Sequence, residues 1–199
     1  MKNSYLGQAW LVLVLGLTFG AALAGVHVAL NEKIEQNKKN EALRRIPQLV
    51  PGARAGNAKT IAGMTVYDAV DDAGRHVGYV IRAVGSGFND KIELLIGLDA
   101  SAANITGLYV LDQKETPGLG SKITDQDWLD QFSSQERKKQ GRSPLSTAKQ
   151  LDAKKGEPGD SEIKAVTGAT ISSASVCRTI NDAVAKIRGE LGEPRRTSK

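Results

Sequence analysis

The hydrophobic positions fall into three regimes along the chain. From Ala9 to Leu30, "AWLVLVLGLTFGAALAGVHVAL", 22 residues carry no charge beyond that available to His27, and about 20 apolar residues suffice for a helix to cross a hydrocarbon core. The pattern predicts a transmembrane helix over 9–30, behind a short flank at 1–8. In "NEKIEQNKKNEALRRI", Ile34, Leu43 and Ile46 then stand among charges. This reads as a polar juxtamembrane helix that stops before Pro47, because the residue ahead of a proline is pushed out of helical geometry. "PGARAGNAKTIAG" reads as a linker, so 31–63 is a helix plus connector and the folded domain spans 64–192.

Inside that domain, "MTVYDAV", "RHVGYVIRAVGSG", "KIELLIGLD" and "ITGLYVLDQ" are short runs rich in β-branched and apolar residues, bounded by Gly, Asp and Asn. Such runs predict the strands of an antiparallel meander. "TDQDWLDQF" predicts a short helix over 124–132, capped by Thr124 or Asp125, with Trp128, Leu129 and Phe132 on one side. Residues 135–161 are polar, basic and broken by Gly and Pro, which predicts a long surface loop or insertion with solvated lysines. The last regime has a helical period. Val176, Ile180, Val184, Ile187 and Leu191 recur at steps of four, four, three and four, an amphipathic helix from Ser172 to about Glu190 that Gly192 and Pro194 end. A basic tail follows at 193–199. The fold class expected is α+β: one N-terminal transmembrane helix, then an antiparallel sheet domain with a C-terminal amphipathic helix.

Composition acts mainly by exclusion. The 27 basic and 22 acidic residues leave a net charge of +5, too modest and too dispersed for a nucleic-acid partner. Cys177 is the only cysteine, which rules out an internal disulfide and a thiolate metal site; beside the apolar stripe it reads as a small buried hydrophobe. His27 and His76 lie far apart, so no metal centre is expected, and His27 reads as an interfacial residue. "ALAG", Ala22 to Gly25, also offers a signal-peptide cleavage pattern, although apolar character continues to Leu30. Either reading brings the chain to membrane lipid. Charge alone leaves the sidedness open: Lys2 precedes the span, and Lys33, Lys38, Lys39, Arg44 and Arg45 follow it, interspersed with Glu32, Glu35 and Glu41.

The candidate chemistry sits in "VTGATISSASV", Val166 to Val176, where Thr167, Thr170, Ser172, Ser173 and Ser175 surround one Gly-Ala pair. Part of this has a structural account: Ser172 or Ser173 caps the helix, Gly168 turns the chain, and Thr167 and Thr170 end a strand. Small residues at a helix start also do something else. The free N–H groups and the positive end of the helix dipole stabilise a phosphate, Gly168 and Ala169 leave room for a bulky ligand, and Thr170 is placed to touch it. Thr170 lacks a paired base that would make it a hydrolytic nucleophile, and no phosphate-cradling Gly-rich loop ending in Lys-Ser or Lys-Thr is present. A covalent bond at Thr170 would therefore be made by another enzyme.

"TGAT", Thr167 to Thr170, followed by "ISS", resembles the flavinylation motif of the FMN-binding domain family. "QKETPGLGSKI", Gln113 to Ile123, is similar to the "ETPGLG" signature of the same family. With the single N-terminal span, strand-rich middle and C-terminal helix, the resemblance covers almost the whole chain. Within the family it resembles the electron-transport subunits of Rnf ion-translocating complexes and of sodium-translocating NADH:quinone reductases, the shorter length favouring the Rnf branch. The resemblance implies FMN held by a phosphodiester to Thr170, attached by a separate flavin transferase using FAD. Thr167, Gly168 and Ala169, with Ile171 and Ser172 beyond them, would shape that site, and Glu115, Thr116, Gly118, Leu119 and Gly120 would lie against the flavin or its phosphate side. Pro117 with Gly118 and Gly120 favours a tight turn that lets backbone approach a flat ring. The resemblance further implies other membrane and redox subunits as partners, and a domain on the extracytoplasmic, periplasmic side of the inner membrane. One departure stands out: family members commonly carry Asp where this chain has Lys164. A stand-alone membrane-tethered flavoprotein and a non-redox, pilin-like scaffold are the rival readings, the latter being colourless. The chain itself shows no G-x-G-x-x-G after a strand for NAD and no cysteines for an iron–sulfur cluster.

Overall fold

The computed structural model describes residues 5–191, with side chains from 9 to 190. The expectations placed on residues 1–4, on Gly192 and Pro194 and on the tail at 193–199 lie outside the described residues. Two units are distinguished, one ending at Glu41 and the other beginning at Ala42. The first consists of helix α1, which spans Tyr5–Leu49 and contributes its last two turns to the second unit. Large apolar side chains from Trp10 to Ile34 are all exposed along it. It is long and apolar enough to cross a membrane, and such a surface is stable in lipid rather than water.

The second unit is an antiparallel sheet with a helix on each face. Strands β1 (Ala55–Ile61), β2 (Met64–Val70), β3 (His76–Ser86), β4 (Lys91–Asp99), β5 (Asn104–Gln113) and β6 (Leu145–Ser146) lie side by side in chain order. Beyond the meander come the short helices α2 (Gln126–Leu129) and α3 (Ser134–Lys139), the parallel pair β7 (Asp152–Lys154) and β8 (Glu162–Lys164), and the long helix α4 (Thr170–Leu191). Alternation along β4 explains the layering: Leu94, Ile96 and Leu98 join the core beneath α4, and Leu95 joins the opposite core with the end of α1. A strand buried on both faces reads as an unbroken apolar run, as "IELLIGL" does. From α4, Val176, Ile180, Val184 and Ile187 enter the first core, and Cys177 is buried beside them.

Several elements differ from expectation. Helix α1 does not stop before Pro47 but runs through it to Leu49. The proline removes one N–H near a helix end, whereas Ala42, Ile46, Leu49 and Val50 are buried against Tyr67, Ala69, Val80 and Leu95, each larger side chain contributing about 1.5–3 kcal/mol. The Thr106 hydroxyl then donates to the Leu49 carbonyl at 2.6 Å, satisfying an acceptor that the helix end leaves open. The folded sheet does not begin at Met64, because the supposed linker contains β1, which pairs with β2 through the Ala62–Gly63 turn. Its side chains are mostly exposed, so an edge strand held by backbone bonds and by Lys59 on Asp68 at 2.6 Å leaves no hydrophobic signature.

Residues 135–161 are not a plain surface loop. They contain most of α3, β6 and β7, with Leu145 and Leu151 buried and Arg137 only 1% exposed. The Arg137 guanidinium donates to the Ser143 carbonyl at 2.7 Å and to the Asp160 carbonyl at 3.0 Å, which ties both ends of the segment together. The short helix expected over 124–132 is divided between a 3-10 turn at 120–124, α2 and a second 3-10 turn at 130–132. Asp125 occupies the N-cap position of α2 without a side-chain cap bond.

Candidate functional site

A cleft of about 570 Å³ opens where four segments meet: the loop after β3 (Phe88), the turn after β5 (Glu115–Gly120), the residue after β7 (Lys155) and the β8–α4 connection (Ala165–Ser172). Clefts of this size hold cofactor-sized ligands. A groove of about 580 Å³ runs between α4 and β2–β3, but it faces the side of α4 and offers no helix N-terminus.

The β5 side is built on a Pro-Gly turn. Leu119 N–H donates to the Thr116 carbonyl at 3.2 Å, and Gly118 has φ +74, the left-handed value that the third residue of such a turn requires. The β8–α4 side repeats the device: Ala169 N–H donates to the Val166 carbonyl at 3.0 Å, and Gly168 has φ +83. A Cβ on Gly168 would approach Leu119 to 3.1 Å. The two glycine turns thus face each other at van der Waals range, with the helix start behind one of them.

The hydroxyls divide by role. Helix α4 begins at Thr170, so Ser172 and Ser173 lie within its first turn and do not cap it. Ser173 Oγ accepts from Val166 N–H at 3.0 Å and donates to the Ala169 carbonyl at 3.0 Å, pinning the turn. Ser172 Oγ donates to Glu115 Oε2 at 2.5 Å, and the buried Thr179 hydroxyl donates to the Ser175 carbonyl at 2.8 Å. Among the described residues, Thr170 has no hydrogen-bond partner for its hydroxyl and is half-buried at the first position of α4. Thr167 is exposed in the turn.

Glu115 holds the walls together. It is 4% exposed, and its Oε1 accepts from Asn89 N–H at 3.0 Å in the loop next to Phe88. Burial pushes its pKa up, but the hydrogen bonds from the Ser172 hydroxyl and Asn89 N–H, with the backbone N–H groups of the 88–90 loop turned toward it, outweigh burial and hold the carboxyl below its ordinary value. The carboxylate is therefore ionised and engaged within the protein. Gly120 makes room for it, since a Cβ there would lie 2.8 Å from Glu115 Cβ.

Ten of the eleven site residues expected from the sequence line this cleft: Glu115, Thr116, Leu119, Gly120, Thr167, Gly168, Ala169, Thr170, Ile171 and Ser172. Gly118 makes the turn without lining it. Phe88, Lys155, Ala165 and Val166 also line the cleft and were not foreseen. An aromatic between glycine and Asn-Asp in "GSGFND" is a usable signal for Phe88; one lysine among many in a polar segment carries none. Leu119, Ile171 and Phe88 are 48%, 59% and 66% exposed, giving the mouth an apolar rim.

The described residues hold no cluster of His, Cys, Asp or Glu suited to a metal ion. What they form is a binding cleft with a helix N-terminus for an anion, apolar side chains for a flat body, and a free threonine hydroxyl between. The α+β domain that follows the apolar, membrane-length helix thus has one cleft that combines a helix start, an apolar rim and a threonine hydroxyl. Residues 87–185 match the family described as FMN-binding domain, and this part of the chain belongs to that family. It is 26% identical, over 91% of its length and 93% of the relative's, to the G component of the ion-translocating oxidoreductase complex of Methanosarcina acetivorans. It is 34% identical, over 54% of this chain and 48% of the relative, to the G component of the Na(+)-translocating ferredoxin:NAD(+) oxidoreductase complex of Acetobacterium woodii. The crystal structure of Shewanella oneidensis NqrC superposes with a TM-score of 0.49 at 24% identity, covering 66% of this chain and 63%, under two thirds, of that one.

Proposed function

We propose that the chain is the FMN-carrying electron-transfer subunit, the G component, of a membrane-bound ion-translocating ferredoxin:NAD oxidoreductase of the Rnf type. It acts as a redox subunit among other membrane and redox subunits, with no complete active site of its own. The cofactor is FMN joined by a phosphodiester to Thr170, and the domain lies on the extracytoplasmic side of the membrane. The single observation that carries the attachment is Thr170 itself, the first residue of α4, with an uncommitted hydroxyl in the cleft while Ser172 and Ser173 are bonded elsewhere.

A flavin transferase would form the bond between Thr170 Oγ and the FMN phosphorus of FAD, breaking the pyrophosphate, releasing AMP and taking up the hydroxyl proton. In the product, the start of α4 stabilises the remaining phosphodiester charge. Bound FMN supplies one- and two-electron transfer, and the protein supplies position and field. Glu115 fixes the cleft walls relative to each other, Gly168 sets the direction of Thr170, and Phe88, Leu119 and Ile171 form the apolar surface for the ring. The tether keeps the flavin at high local concentration beside its redox partners.

The test is in-gel flavin fluorescence after denaturation, with peptide mass spectrometry, on full-length chain co-produced with a flavin transferase. The wild type is expected to fluoresce and to carry an FMN-sized mass on the peptide containing Thr170. Thr170→Ala is expected to be dark yet folded. Undiminished covalent flavin in that variant ends the assignment.

A further inference from the structure

Among the described residues, two ionisable side chains line the cleft: buried Glu115 and exposed Lys155. Their circumstances are opposite. Glu115 is bonded on both oxygens within the protein. Lys155 makes no hydrogen bond or ion pair with another described residue, whereas the preceding Lys154 pairs with Glu162. Its position is nevertheless determined, since β7 runs parallel to β8 with Lys154 opposite Lys164, and the Lys154 carbonyl accepts from Ala165 N–H at 2.7 Å. That register sets Lys155 at the segment leading into the turn that carries Thr170.

We propose that Lys155 is the electrostatic partner of the bound flavin, favouring its reduced form by stabilising the negative charge the ring acquires. This rests on the FMN reading above. Uptake of two electrons and one proton leaves the isoalloxazine with one net negative charge, the electrons coming from a neighbouring redox centre in the complex or, in the assay, from dithionite. That charge arises in a cleft already holding ionised Glu115 and a phosphodiester. The start of α4 serves the phosphate, and like charges so close oppose further negative charge. Lys155 is the lining cation free to offset it.

The test is a redox titration, with dithionite and mediator dyes, of full-length flavin-loaded protein in detergent, comparing wild type, Lys155→Gln, Lys155→Arg and Lys155→Glu. At a fixed poise, Lys155→Gln is expected to lower the ratio of reduced to oxidised flavin about tenfold, a shift of about 30 mV for a two-electron couple. Lys155→Arg is expected to restore it and Lys155→Glu to lower it further, with flavin content unchanged throughout. A wild-type potential in Lys155→Gln overturns the proposal. So does failure of Lys155→Gln to load while Lys155→Arg loads normally, which assigns the residue to attachment. Absence of fluorescence in the wild type is read from the same preparation and marks failure of the underlying FMN reading instead.

Discussion

Replacing Glu115 by alanine removes the acceptor that joins its own turn to two other parts of the cleft. The Ser172 hydroxyl, at 2.5 Å, and Asn89 N–H, at 3.0 Å, lose their partner together, in a place where the side chain is only 4% exposed. Leaving a buried donor unsatisfied costs about 1–3 kcal/mol, so two such losses, softened by entering water, amount to about 3 kcal/mol. For a protein of this size that is a fall of about 6–12 °C in melting temperature. Because flavin loss would itself lower stability, the comparison is made in the Thr170→Ala background, by circular dichroism melts in detergent. The acid profile is a second readout. Since Glu115 in the folded state titrates below its ordinary 4.5, its contribution is present above that unfolded value and disappears as pH falls through the lower folded value. Glu115→Gln should therefore weaken the protein at pH 7 while making it less acid-sensitive between those two values. An alanine variant melting within about 2 °C of its parent, less than the loss of even one such bond implies, would refute the strut.

Two further outcomes are expected. Gly168→Ala forces a Cβ into a residue with φ +83 and to 3.1 Å from Leu119, costing about 1–2 kcal/mol; covalent flavin per chain, read by in-gel fluorescence, should fall more than stability does, and full loading would show that the turn does not aim Thr170. Burial pushes the Cys177 thiol up to about 12, so 5,5′-dithiobis(2-nitrobenzoate) at pH 8 should leave the native protein unlabelled and label it once denaturant is added, whereas rapid native labelling would contradict its place in the core.

What the sequence showed depended on whether a residue acts through periodic burial or through a single partner. The α4 stripe and the runs of β2 to β5 repeat their burial, so both were legible. Strand β1 has exposed side chains and depends on backbone pairing, and Arg137 is a buried cation whose acceptors are carbonyls elsewhere in the fold; neither leaves a pattern in one dimension. The motif residues 115–120 and 167–172 are separated by some fifty positions, and only the resemblance joined them. Their contact through Glu115 and Ser172 requires the sheet to carry the end of β5 to the start of α4. The hydroxyl cluster was expected to cap the helix through Ser172 or Ser173, yet the two hold the scaffold through bonds to Glu115, Val166 and Ala169 and leave Thr170 unengaged.

The same division bears on Lys164, where the resemblance leads to an expectation of Asp. Its backbone is tightly held: N–H donates to Gln131 Oε1 at 2.6 Å, and the carbonyl accepts from Trp128 Nε1 at 2.9 Å. Its side chain is exposed and is absent from the cleft lining. The backbone at this position supports the strand that leads into the Thr170 turn, whichever side chain is present. The change from acid to base therefore leaves the shape of the cleft alone and alters the charge met by a molecule approaching from outside. If a flavin transferase acts on Thr170 as proposed, a surface residue of this kind would affect its approach through charge steering without contributing to the cleft.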